Sequence, residues 1–330
     1  MPASTPMPMS TPAPAIDSPT LKLPEAIQNT RIRWAIAAAF LGLHGLALAA
    51  LVPWLFTWSG LLLACAGCYL FGTLGINMCY HRLLTHRSFT CPRWLERALT
   101  ILGACNLQGS SIRWVCGHRM HHQHSDDRPD PHSPLVNFLW SHVGWLLVSN
   151  PSIEKTPGLS RYAADLCRDP FHMALERHQR WIWIWLGHVV VIFAAGMALG
   201  WILDGPSFTG GVRLGLSWVV WAVGIRLVVV WHITWAINSV THLWGYRNYR
   251  TRDNSRNNWL LGYIGMGEGW HNNHHANQRS AIHGHKWWEL DITYTTIWLL
   301  QKIGLASNII HPHRPSMPPG TPRSSDTMTG

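Results

Sequence analysis

The histidines of this chain stand in clusters with the spacing of metal ligands. Nine of the 21 histidines fall in four short segments, YHRLLTH, HRMHH, VTH and HNNHH. These nine are His81, His86, His118, His121, His122, His242, His271, His274 and His275. In a helix, positions i, i+3 and i+4 share one face, while the adjacent pair diverges by about 100°. Each HxxHH segment can therefore present its imidazoles to two neighbouring metal centres.

The number and type of these side chains indicate a dinuclear metal site. Neutral imidazole binds iron, zinc, copper or nickel, and nine imidazoles without cysteine exceed the roughly four ligands of a structural zinc site. His81 and His86 would lie about 140° apart in an ideal α-helix, so we expect that helix to kink or end there. His242 would complete the second centre. We expect ordinary polar roles for the remaining candidates His44, His142, His172, His178, His188, His232, His283, His285, His311 and His313.

Four residues near the clusters could orient the ligand rings, and one of them is His124. Asp130 and His132 lie in DPHSP, and Glu268 lies in GEGWH. Carboxylates such as Asp130 and Glu268 commonly accept a hydrogen bond from the outer nitrogen of a ligating histidine, and the neighbouring histidines could support them. Helix capping or a loop role remains open for each of them. The glycines of residues 265–269 follow no predicted strand, so we interpret them as a joint that allows close packing rather than a nucleotide-binding loop.

Four apolar stretches are long enough to position the histidines at a membrane surface. Each approaches the roughly 20 residues that cross a bilayer, and together they form two hairpins of residues 34–52, 58–79, 181–203 and 212–235. The arginines gather on the side that holds both termini, which predicts that this side is cytoplasmic. The fold class is therefore an all-helical integral membrane protein with four transmembrane helices and a helical cytoplasmic cap.

Two shorter apolar runs and one arginine complete this picture. Residues 95–107 and 135–148 are too short to span, so we expect them to lie in the interface or to form a wall of the cap. Arg226 falls in the middle of the fourth stretch, where a charge is costly. It must face a tunnel or a water-filled cavity, unless its helix extends beyond the bilayer.

The composition also favours a membrane. The chain is 47% hydrophobic and only 13% charged, and its 21 tryptophans suit the boundary between hydrocarbon and water. The net charge of +10 is scattered beside apolar segments, so anionic lipid is the expected counter-charge and nucleic acid is not expected. Residues 1–29 and 314–330 are rich in Pro, Ser and Thr and are predicted to be disordered tails around a domain of residues 30–313.

The histidine segments resemble the three boxes of a known enzyme family. YHRLLTHRSF, HRMHHQHSDDRPDPHSP and GEGWHNNHH are similar to those of the membrane-bound fatty acyl desaturases of the delta-9, stearoyl-type class. ITWAINSVTHLWGYR resembles the segment before the third box, and the match covers residues 30–310. The resemblance implies a four-helix stem below a di-iron cap, with the acyl chain in a bent tunnel.

The resemblance also implies roles for individual residues. One iron would be bound by His81, His86, His118, His122 and His274, and the other by His121, His242, His271 and His275. Asn238 would hold a water near the second iron. Thr234 and Trp235 match residues that shape the tunnel at its bend.

The implied reaction is the oxygen-dependent desaturation of a saturated long-chain acyl group. It would use two iron ions cycling between Fe2+ and Fe3+, O2 as co-substrate, and electrons from a ferredoxin, a rubredoxin or a cytochrome b5-type protein. Cys116 and Gly117 stand where the acyl-CoA enzymes of animals have arginine and aspartate. The acyl carrier is therefore open between CoA and membrane lipid, and the departure favours a relative in a bacterial inner membrane.

Three other functions are compatible with parts of the pattern. A di-iron hydroxylase or other monooxygenase of the same superfamily would insert oxygen instead of releasing water. A histidine-rich metal transporter would place its sites near the middle of the bilayer, whereas these clusters follow the ends of apolar stretches. A zinc hydrolase of lipids would need no reductant.

Overall fold

The regular elements of this protein are helices. The computed structural model describes residues 20–27, 30–203 and 207–313. Within these ranges there are isolated β-bridges but no β-strands. Four helical segments are long and apolar enough to cross a membrane: Trp34–Leu51, Trp58–Thr85, Pro170–Leu203 and Phe208–His242. We call these segments spans 1 to 4. This architecture confirms the all-helical, four-span fold expected from the sequence.

Span 4 is the centre of the stem, because it contacts each of the other three spans. Spans 3 and 4 pack backbone against backbone, since a Cβ on Gly196 would lie 2.9 Å from Cα of Gly215. Small residues allow this close approach between membrane helices. On the outer side of span 3, Val190 and Val191 are each 65% exposed. Such apolar side chains suit contact with lipid.

The helices of spans 2 and 4 extend beyond the apolar stretches from which they were predicted. Span 2 ends at Thr85 rather than near residue 79, and span 4 runs from Phe208 to His242 rather than over 212–235. The added turns contain polar and histidine residues that a hydropathy pattern excludes. They remain helical because they pack inside the cap, where His81 and His242 are buried.

Parts of both spans are wound as π-helix, with hydrogen bonds from residue i+5 to residue i. The π segments are Cys68–Thr85 in span 2 and Val219–Ile225 in span 4. Such turns are rare and are frequently found at functional sites. In span 2 the segment leads directly into the first histidine pair.

Arg226 of span 4 is fully buried within the helix bundle. Its guanidinium donates to Oδ1 of Asn106 at 3.0 Å and to the carbonyl of Ala222 at 2.9 Å, and lies 4.6 Å from the ring centre of Phe71. The charge is therefore satisfied by polar groups and an aromatic face, and Arg226 does not line either of the two cavities described below.

The remaining helices form a cap on the stem. They are Arg93–Ala104, Ser111–His124, Trp145–Leu147, Pro151–Glu154, Thr156–Tyr162, Ala164–Cys167, Trp259–Ile264, His271–Ala276 and Ile292–Lys302. Arg93–Ala104 packs against span 2, and the turn Trp140–Gly144 packs against span 4. These contacts place the two short apolar runs in the walls of the cap.

Part of the chain before span 1 packs against the cap. The backbone N–H of Leu21 donates to the carbonyl of Leu135 at 2.9 Å, and Ile27 is buried. Within the tail predicted over residues 1–29, residues 20–27 therefore contact the cap. Residues 1–19, 28–29 and 314–330 of the predicted tails lie outside the described residues.

Candidate metal centre and acyl cavity

The nine clustered histidines converge in two adjacent groups. In each group, one ring nitrogen per residue lies within 4.8 Å of the others. The first group is His81, His86, His118, His122 and His274, and the second is His121, His242, His271 and His275. This is the division that the family resemblance implied. That the two groups bind metal ions remains a proposal, which we develop below.

Two helices with the HxxHH spacing bring the groups together. Ser111–His124 begins where the side chain of Ser110 accepts a hydrogen bond from the backbone of Arg113, and its last turns carry three of the histidines. The short helix His271–Ala276 carries three more. Residues of the two helices meet where the ring centres of His122 and His275 lie 4.5 Å apart.

The π-helix at the end of span 2 explains how His81 and His86, which would diverge in an α-helix, lie close together. The backbone N–H of His86 donates to the carbonyl of His81 at 3.2 Å, which is an i+5 to i bond. The wider turn brings the two ring centres within 4.8 Å. The helix ends at Thr85, as expected. His86 is brought close to His81 by the π-helical turn, however, and not by a kink.

The ring nitrogens are arranged as ligands of a common ion would be. Nε2 of His274 lies 3.1 Å from Nε2 of His81 and also 2.9 Å from Nε2 of His122. A neutral imidazole nitrogen cannot satisfy two such neighbours with one proton. Among the nine clustered histidines, three other buried Nε2 atoms have no hydrogen-bond partner in the described part of the chain, those of His86, His121 and His275. Buried, unpartnered nitrogens are costly unless a metal accepts their lone pairs, so this donor set fits two metal ions.

Four of the rings are held from behind by carboxylates. The pairs, with their Nδ1–O distances, are His81–Glu268 at 2.6 Å, His121–Asp130 at 2.9 Å, His242–Asp126 at 3.0 Å and His275–Asp253 at 2.7 Å. A carboxylate at Nδ1 keeps the proton on that nitrogen and leaves Nε2 free to bind a metal. Three of the four pairs belong to the second group.

Sequence reasoning anticipated part of this outer ring of residues. Asp130 and Glu268 contact ligand rings, and His132 lies beside them, with its backbone N–H donating to Asp130 at 3.1 Å. Asp126 and Asp253 were missed. Asp126 directly follows the second histidine segment, so its position was a usable signal, whereas Asp253 stands in RTRDNS, which has no recognisable pattern.

His283 has an environment that the sequence did not predict. It is fully buried, its ring centre lies 4.5 Å from that of His274, and its Nδ1 lies 3.5 Å from Oε2 of Glu268. Neither of its ring nitrogens makes a hydrogen bond within the described residues. It is therefore part of the surroundings of the first group rather than an ordinary polar side chain.

Burial and charge together set the protonation states that metal binding requires. Burial and neighbouring imidazoles keep the pKa values of His118 and His274 well below the usual range. Burial alone would raise the pKa of Glu268, but Arg82 at 2.8 Å and His81 hold it below its ordinary value. The imidazoles of His118 and His274 are therefore neutral and the Glu268 carboxylate is ionised near neutral pH, as ligand and orienting group must be.

An apolar cavity leads to the histidines from between the spans. It has a volume of about 610 Å³ and reaches His81 and His118 of the first group and His271 of the second. Thr234, Trp235 and Asn238 line it, and Thr234 also accepts a hydrogen bond from Gln108 at 3.2 Å. Its other walls include Phe40, Leu43, Ile76, Leu107, Trp145, Leu146, Trp185 and Trp231.

A four-span membrane stem, an apolar cavity and paired imidazole groups define a class of membrane-embedded oxidoreductase that acts on hydrocarbon chains. The sequence model of the fatty acid desaturase family matches residues 54–299. The chain belongs to this family and is a fatty acyl desaturase.

Relatives cover most of the chain. It is 43% identical to an sn-1 stearoyl-lipid 9-desaturase of Anabaena variabilis, over 84% of this chain and 94% of that protein. It is 40% identical to an sn-2 palmitoyl-lipid 9-desaturase of Nostoc sp. (strain 36), over 87% and 93%. It is also 39% identical to an icosanoyl-CoA 5-desaturase of Limnanthes douglasii, over 87% and 72%.

Proposed function

We propose that this protein introduces a delta-9 double bond into saturated acyl chains of membrane lipids, with two iron ions and O2 as co-substrate. The observation that carries the proposal is that one apolar cavity ends against both histidine groups, at His118 of the first and His271 of the second. A chain held in this cavity has a methylene beside both metal positions.

The side chains divide the work of the reaction. Bound iron would supply the oxidising chemistry with O2 that removes hydrogen from an unactivated methylene, which no side-chain acid or base can do. The nine imidazoles hold the ions, and Glu268, Asp126, Asp130 and Asp253 fix the rings. Thr234 and Trp235 shape the cavity, so the position of the double bond follows from where the chain is held. The aromatic walls exclude water.

The charges at the cavity support a lipid-linked substrate. Arg33 and Arg113 line it, but Arg33 lies 3.4 Å from Glu154 and Arg113 lies 2.7 Å from Glu176. Both cations are therefore partnered, whereas the phosphates of CoA call for available cations. Gly117 lines the cavity with nothing within 4 Å of a Cβ, so this position offers no group to grip a CoA headgroup. Relatives of both kinds exist, and the partnered charges favour the lipid-linked one.

The position of the site on the stem argues against a transporter and for an external electron supply. His81 lies near the end of span 2 and His242 closes span 4, so the groups do not lie between the middles of the spans. We infer that the cap and both termini are cytoplasmic, by the positive-inside rule, in a bacterial inner membrane. A ferredoxin, rubredoxin or cytochrome b5-type protein there would deliver two electrons per double bond.

Expression in a host that lacks unsaturated fatty acids of this kind tests the reaction. Gas chromatography with mass spectrometry of total fatty acids should show delta-9 monoenes with the wild type and with His311→Ala, an exposed histidine outside both groups. His274→Ala should give none. Secondary alcohols in place of alkenes would indicate a hydroxylase, and lipid cleavage that persists without oxygen and reductant would indicate a hydrolase.

A second experiment decides the acyl carrier. Purified enzyme in nanodiscs receives either deuterated distearoyl phosphatidylglycerol in the bilayer or deuterated stearoyl-CoA in solution, with the same reduced electron donor. We expect deuterated oleoyl product only from the lipid. Faster conversion of the CoA ester would contradict the assignment of the carrier while leaving the desaturase chemistry intact.

A further inference from the structure

A second cavity opens on the surface of the cap over the two histidine groups. It has a volume of about 530 Å³, and His122 of the first group and His275 of the second both line it. The ring centres of these two histidines lie 4.5 Å apart. This cavity therefore gives access to one residue of each metal position.

This surface cavity is separate from the apolar cavity lined by Thr234 and Trp235, which we call the acyl cavity. The two share no lining residue, and the acyl cavity reaches the groups through His81, His118 and His271 instead. The histidine groups thus lie between the two cavities, and each cavity reaches them from its own side. A ligand at the surface does not displace an acyl chain, so the surface cavity can serve a different reactant.

The rim of the surface cavity is positively charged. Arg250 and Arg252 line it and are exposed, and neither forms an ion pair with any residue that the structure describes. The carboxylate of Asp253 is already engaged, because Oδ2 accepts from His275 at 2.7 Å and Oδ1 accepts from the backbone of Ser255 at 3.1 Å. The positive charge of the two arginines therefore faces outward without compensation.

We propose that this cavity is the docking site of an acidic one-electron carrier protein, and that electrons enter through His275 and His122. The proposal rests on the proposed function. One double bond requires that –CH2–CH2–, O2, two electrons and two protons give –CH=CH– and two waters. Two reduced carriers each lose one electron in succession, and the protons come from solvent. The carrier must visit twice, and the surface cavity allows this because it shares no lining residue with the acyl cavity.

Charge complementarity identifies the partner. An acidic protein is attracted by the exposed arginines before contact, which raises its association rate and makes that rate sensitive to salt. Transient electron-transfer pairs use small interfaces and bind weakly, so a cavity with two basic side chains at its rim is sufficient. An anionic lipid headgroup could also bind arginine, and the experiment below is arranged to separate these two occupants.

The experiment compares Arg250→Glu/Arg252→Glu with the wild type in nanodiscs of zwitterionic lipid. The probe is a plant-type [2Fe–2S] ferredoxin kept reduced by NADPH and its reductase. The control is Arg161→Glu/Arg168→Glu, which makes the same change in net charge at two exposed arginines of the cap away from this cavity. Two quantities are measured for each: the ferredoxin Kd by biolayer interferometry, and kcat and KM for ferredoxin in alkene formation.

We expect the Arg250/Arg252 variant to raise both Kd and KM for ferredoxin by roughly tenfold or more at low salt. Its kcat at saturating ferredoxin should be retained, and the difference should shrink near 1 M salt, where the Debye length is about 3 Å. The control should resemble the wild type. Unchanged Kd and KM in the variant, or a change only in nanodiscs of anionic lipid, would overturn the docking site. Absence of alkene from the wild type with every donor would instead overturn the proposed function.

Discussion

Replacing Asp253 with asparagine should weaken one of the two metal positions. The carboxylate has two tasks: Oδ2 accepts from Nδ1 of His275 at 2.7 Å, while Oδ1 accepts from the Ser255 backbone at 3.1 Å and from Thr251 Oγ1 at 2.8 Å. Asparagine has only one acceptor oxygen. If that oxygen stays with the loop, the amide group faces His275 and favours a proton on Nε2, the nitrogen that should bind the metal.

The size of the effect follows from this loss of orientation. Removing the partner of a ligating histidine typically costs 10- to 100-fold in metal affinity, or about 1.4 to 2.7 kcal/mol. The assay equilibrates iron-loaded protein with a graded series of chelators and measures iron per chain by mass spectrometry. We expect the wild type to retain two ions where Asp253→Asn retains about one. Asp127→Asn, an exposed carboxylate near the same cluster, is the control.

Two results would refute this reasoning. If Asp253→Asn holds both ions with the affinity of the wild type, the carboxylate does not orient His275. Ser255→Ala keeps the carboxylate and removes only the hydroxyl contacts of Ser255 with Asp253 and Thr251 in the loop. If that variant loses as much iron as Asp253→Asn, the shape of the loop is responsible rather than the protonation of the ring.

Three further predictions concern the stem, the cavity and the packing of the cap. Arg226→Met removes the donor to Asn106 inside the bundle and should cost about 1–3 kcal/mol, seen as a lower Tm in detergent; an unchanged Tm would contradict the role of this contact. Trp235→Ala widens the acyl cavity and should spread the double-bond position in mass spectra of products without changing iron content. Gly269→Ala would place a Cβ 2.1 Å from the backbone nitrogen of Gly262, so it should displace the helix that follows and abolish iron binding, whereas retained iron would show that the backbone can relax.

Much of the stem and of the histidine site could be predicted from the sequence, because the relevant signals are local. Hydropathy over about 20 residues marks a span, and the HxxHH spacing marks a helical face with two metal positions. The glycines of residues 265–269 were interpreted as a site of close packing, and the contact of Gly269 with Gly262 confirms this. The division of the nine histidines needed the family resemblance in addition.

Other features depend on contacts between distant parts of the chain. The aspartate that holds His242 is 116 residues away, and no local pattern connects Asp126 with it. The spacing of His81 and His86 was judged by α-helical geometry, and only the π-helix explains how both join one group. Arg226 was expected to face a tunnel or water unless its helix extended beyond the bilayer, and its partner Asn106 could not be predicted because it lies 120 residues earlier. The contact of residues 20–27 with the cap likewise joins distant parts of the chain.

The acyl cavity and the surface cavity have no lining residue in common, and this affects the kinetics expected of the enzyme. A lipid seated between the spans need not leave before a second reductant arrives, since neither visitor blocks the path of the other. Steady-state rates should therefore follow the intersecting lines of a ternary-complex scheme rather than the parallel lines of ping-pong exchange. A partly reduced enzyme can wait with its substrate in place, so that slow delivery of electrons lowers the rate without releasing an unfinished product.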